Sequence, residues 1–82
     1  MNFTTIADVG TWFDNSGLVD WEWFEGFNKN DLIEYIWRRF DSREDDDDGN
    51  EMFWKGDEPT PVDEVLAAYL REHGENPADY SL

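Results

Sequence analysis

The chain has 82 residues, with 21 Asp or Glu against 6 Lys or Arg and a formal net charge of −15. That length makes a single domain, residues 1–82. The charge repels phosphate and anionic lipid, so direct nucleic-acid binding and membrane association are not expected. Cysteine is absent, which excludes disulfides, Cys-based zinc sites and thiol catalysis.

Strongly acidic chains poor in aromatics usually stay disordered. Here 17% of residues are aromatic and five are Trp. Each such side chain can bury about 150–250 Å², so a packed core is expected. The N-terminus has no basic n-region and no long apolar run, so neither a signal peptide nor a membrane span is expected.

Taken along the chain, the first predicted element is a short helix. Thr5 is its cap and Asp8 stands at the third helical position. Ile6, Val9 and Phe13 share one face, and Gly17 is the stop. Residues 18–27 form a first aromatic segment. Its Val19, Trp21 and Trp23 alternate with polar neighbours as in an edge strand, whereas Leu18, Trp21 and Phe24 fit one face of a helix.

The second helix is predicted from Asn28 as cap, with Asp31 third and Phe27 stapled to Leu32. Leu32, Ile33, Ile36, Trp37 and Phe40 make its apolar stripe, and Glu34 and Arg38 form an i, i+4 pair. Arg38, Arg39 and Arg43 are assigned to its last turns, where they complement the helix dipole.

Residues 41–51 are predicted as an acidic loop. Met52-Phe53-Trp54 is a second aromatic segment, either a brief strand or one helical turn, and residues 55–59 have turn chemistry. Thr60 is assigned as cap of a third helix, with Pro61 first and Asp63 third. Val62, Val65, Leu66, Tyr69 and Leu70 form the buried stripe, and Gly74 ends the helix. A loosely attached tail is expected over residues 75–82. The predicted fold class is mainly α, three helices with two short aromatic segments. The alternative is α+β, with a two-strand ribbon of residues 19–24 against 51–55.

From Asp41 to Glu58 there are nine carboxylates and two basic residues. An EF-hand loop does not fit them: with Gly49 at the sixth position, Lys55 falls where the bidentate Glu is required. A surface that docks on Lys and Arg of a partner is the sharper reading. Its candidate residues are Asp41, Glu44, Asp45, Asp46, Asp47, Asp48, Glu51, Asp57 and Glu58, extended along the second helix by Asp31 and Glu34. Phe53, Trp54, Trp21 and Trp23 are candidate apolar anchors, since aromatics dominate interface hot spots and accept Arg or Lys on the ring face.

No catalytic residues, metal ligands or cofactor are expected. His73 is the only histidine and reads as a solvent-exposed partner of a helix end, and no serine sits in a nucleophile elbow. The chain is read as a non-enzyme.

In size, charge and aromatic content the chain resembles the small acidic inhibitors that phages and mobile elements use against host defence: anti-restriction proteins, anti-CRISPR proteins and other DNA mimics. Asp31 to Tyr80 is also similar to the immunity proteins of nuclease colicins, with Phe53-Trp54 in place of a tyrosine pair, residues 55–59 as the turn and Val62 to Gly74 as the last helix. Both resemblances imply a bacterial cytoplasmic inhibitor that binds the cationic nucleic-acid-binding surface of a CRISPR effector, restriction enzyme or nuclease. The alternatives are an interaction module or steric blocker that uses exposed aromatics, with a homodimer possible on the same patch, and adaptation to a salt-rich cytoplasm.

Overall fold

A computed structural model describes residues 1–21, 24, 27–80 and 82, without the side chains of Val19 and Phe27. Three helices, α1 (Ile6–Asn15), α2 (Phe27–Arg39) and α3 (Val62–Glu72), pack with a three-stranded antiparallel sheet of β1 (Ser42–Asp45), β2 (Glu51–Lys55) and β3 (Glu58–Pro61). The fold is therefore α+β, which overturns the mainly α expectation. The alternative names the right class but the wrong partner for residues 51–55. Leu18–Asp20 is a 3-10 turn, and β2 lies between β1 and β3.

β1 and β3 escape sequence reading for physical reasons. Ser42-Arg43-Glu44-Asp45 has neither β-branched nor aromatic residues, and Glu58-Pro59-Thr60-Pro61 carries two prolines. Main-chain pairing supplies what their side chains do not. Arg43 pairs with Phe53 and Glu44 with Met52, while Thr60 pairs with Phe53 on the other side. Prolines are tolerated because β3 is an edge strand. The outer side of β1 takes up the N-terminal residues. Phe3 N–H donates to Asp41 O at 2.8 Å and Arg43 N–H to Met1 O at 2.8 Å, and Asn2 bridges Ser42.

α1 is capped at Thr5, as expected, and the Asp8 carboxylate accepts the Thr4 and Thr5 amides at 2.8 and 3.0 Å. Val9 and Phe13 are buried, but Ile6 is 45% exposed. Gly17 follows the helix end with φ +85°, a left-handed conformation that glycine adopts without strain. In α2, Asn28 lies inside the helix rather than capping it, and Arg43 lies in β1 rather than in the last turn. α3 is capped by Pro61, the last residue of β3 and one residue after the expected Thr60.

Phe53 occupies the centre of the core. It is fully buried, with Trp12 edge-on at 4.9 Å, Phe40 stacked at 5.3 Å and Phe3 at 6.2 Å. Leu32 and Ile36 of α2 and Val65, Leu66 and Tyr69 of α3 complete the buried cluster, with Trp37 packed at its side. The tail is not loose: Pro77 is buried, Pro77–Tyr80 forms a 3-10 turn, and Tyr80 stacks on Trp21 at 5.4 Å. No helix among the described residues is long and apolar enough to cross a membrane.

Candidate partner-binding surface

The predicted acidic loop is an ordered β-hairpin, and its turn is built by its own acids. Asp46 N–H donates to Asn50 O at 2.9 Å, and Gly49 N–H closes the turn on Asp46 O at 3.0 Å. Gly49 has φ +83°, where a three-residue hairpin loop places glycine. The Asp46 carboxylate accepts the Asp48 and Asn50 amides at 3.0 and 2.8 Å, and the Asn50 side-chain amide at 3.3 Å. These bonds, led by the Asn50 amide, hold its pKa below the usual carboxylate value. Asp46 is thus a structural residue, while its neighbours Asp47 and Asp48 stand exposed.

One cation lies inside the hairpin. Residues two apart on a strand share a face, and directly paired residues do too. Arg43, Asp45 and Glu51 therefore project together, and the guanidinium bridges both acids: Nη1 to Asp45 at 2.7 Å, Nη2 to Glu51 at 2.8 Å. The Arg43 side chain is only 18% exposed, and its Nε is buried without a partner among the described residues. The other face carries Trp54, half-buried, with its indole N–H donating to Glu44 O at 3.2 Å. Glu44 pairs with the Met1 ammonium group.

A second acidic group forms where β2 turns into β3. Asp41 accepts the Gly56 amide at 3.0 Å and faces Lys55 Nζ at 3.4 Å. The Gly56 bond is the larger cause of its lowered pKa, and Lys55 adds to it. Asp57 and Glu58 follow on the same turn and are exposed. At about 3.3 Å per residue, the five residues from Asp41 to Asp46 put the two ends of the hairpin roughly 16 Å apart.

The structure does not join Asp31 and Glu34 to this surface. Asp31 accepts the Tyr69 hydroxyl at 2.7 Å and lies 3.2 Å from His73 Nε2, and Glu34 is paired with Arg38. His73 Nδ1 approaches Tyr69 O at 2.9 Å and its ring packs on Tyr69 at 4.2 Å. The histidine is exposed and is the C-cap of α3, as read from the sequence, and it also joins a clasp between α2 and α3. Burial, then the Asp31 bond and charge, raise the Tyr69 pKa well above its ordinary value. Tyr69 and His73, i and i+4 at the C-terminal end of α3, are a visible signal for this clasp; their partner on another helix is not.

Of the expected aromatic anchors, Phe53 is a core residue and offers no surface. Trp54 and Trp21 are half-buried, and Trp23 lies outside the described residues. Comparison with protein-family models, curated proteins and solved structures finds no match. The sequence does not mark Trp12 or Asp63 as site residues. Both line a cleft of about 500 Å³ between α1, the 3-10 turn at Leu18–Asp20, the hairpin and the start of α3. Among the described residues no three acidic or histidine side chains are placed to hold a metal ion.

Proposed function

We propose that this protein is a non-catalytic acidic inhibitor acting in the bacterial cytoplasm. It binds the cationic nucleic-acid-binding surface of a defence effector or nuclease. The observation that carries this reading is the hairpin. It displays Glu44, Asp47, Asp48 and Glu51 on a backbone fixed by main-chain pairing and by the Asp46 turn. Fixed charges lose less freedom on binding than charges on a mobile loop. Complementary charge also raises the encounter rate and makes it salt-sensitive. Asp57 and Glu58 extend the negative surface toward the opposite end of the sheet.

The test is affinity capture from a bacterial lysate, with and without excess duplex DNA. A captured nucleic-acid-binding protein that duplex DNA displaces is the expected result. Asp47→Lys with Asp48→Lys should weaken capture by about tenfold or more, since like charges then face each other. Asp46 must be left intact, because changing it alters the turn itself. A partner indifferent to DNA and to this reversal would transfer the function to an aromatic interaction module.

A further inference from the structure

The cleft beside the hairpin has two chemically distinct sides. Trp12, Trp21 and Leu66 provide apolar walls, and Arg43, Glu51 and Asp63 provide the charged ones. Arg43 is not a hook for an anion. Its two terminal nitrogens are held by Asp45 and Glu51, and its Nε is closed off from solvent. Asp63 has no ion-pair partner among the described residues. Glu51 and Asp63 also both line an adjoining hollow of about 280 Å³, so these two carboxylates stand where the cavities meet. The charge left uncompensated in the cleft is therefore negative.

The indoles are held in place before any ligand arrives. Trp12 packs edge-on against Phe53 at 4.9 Å, and Trp21 stacks on Tyr80 at 5.4 Å. A cation that fits such walls is planar, weakly hydrated and carried on an apolar stem. Guanidinium has these properties, whereas ammonium is compact and strongly hydrated. We propose that this cleft receives an arginine side chain of the partner, its guanidinium on Asp63 and Glu51 and its stem against Trp12 and Trp21. This rests on the reading of the partner as a basic protein. It adds a specific docking point to a diffuse acidic surface.

The probe is acetyl-arginine methylamide, titrated into the intact protein at low salt, with the indole N–H signals followed by NMR. Acetyl-citrulline methylamide, the uncharged isostere, is the control. The Trp12 and Trp21 signals, assigned through Trp→Phe variants, are expected to move with the arginine probe and not with citrulline. Asp63→Asn should weaken binding by about two- to five-fold, the range of an exposed ion pair. This variant keeps the size of a first-turn helix residue, and its fold is checked by the unchanged signals of Trp37 and Trp54. Equal binding of citrulline, shifts confined to other tryptophans, or indifference to Asp63→Asn would each overturn the assignment. The probe needs no partner, so its failure is separable from failure of the lysate capture.

Discussion

Asp46 couples its charge state to the shape of the hairpin tip. Its carboxylate accepts the Asn50 and Asp48 amides, and its pKa is lowered with the Asn50 amide as the main cause. A carboxylate whose folded pKa is depressed contributes stability that is complete above the unfolded value, about 3.9 for Asp. That contribution is lost as pH falls through the folded value. The tip should therefore stay formed at neutral pH and loosen only on acidification below about pH 4. The measurement is the pH dependence of the Asp48 and Asn50 amide shifts. Both should titrate together, with a midpoint below that of an ordinary aspartate; a midpoint at the ordinary value would mean that the turn does not hold the carboxylate.

At the level of elements, α1 shows where the chain is locally unfavourable. Gly10 sits in mid-helix, and a Cβ there would lie 3.8 Å from Ile33 Cδ1, an ordinary contact with α2. Gly10→Ala should thus stabilise the protein by about 0.5–1 kcal/mol, by restricting the unfolded chain and improving helix propensity. Thermal unfolding of the two proteins side by side measures this, and a lower Tm for the variant would show that α1 and α2 sit closer than the structure places them. Legibility in the sequence follows the same elements. The faces of α2 and α3 could be read because Leu32, Ile36, Val65 and Tyr69 repeat with the helical period. β1 could not, because nothing in Ser42-Arg43-Glu44-Asp45 signals a strand until Met52-Phe53-Trp54 is paired beside it. The acidic character of the candidate site was plain from composition. That Arg43 neutralises part of it from within was hidden, since the Arg43–Asp45 and Arg43–Glu51 pairs exist only in the strand register.

Over the whole molecule, a net charge of −15 sits on a body of 30 × 25 × 20 Å. The Debye length is about 30 Å at 0.01 M ionic strength and about 8 Å at 0.15 M. At low salt every carboxylate feels all the others, whereas at 0.15 M only near neighbours act. All seven ion pairs found among the described residues include at least one partner more than a third exposed and weigh little against this long-range repulsion. The Tm should accordingly rise by several degrees between 10 and 150 mM NaCl, taking about 4–8 °C for each kcal/mol of repulsion removed. A Tm that falls over this range would show that the local pairs outweigh the global charge.

The two margins of the sheet limit how any other molecule can attach. On one side residues 1–3 already lie against β1. On the other, Pro59 and Pro61 alternate along β3, so the outward nitrogens of that strand carry no hydrogen. Neither margin is a template for a further strand, which also blocks the route by which exposed sheet edges seed fibrils. A visitor, whether a target or a second copy, must therefore be recognised through side chains. Specificity then rests on where carboxylates and indoles are placed, which single substitutions can re-tune without disturbing the backbone that holds them.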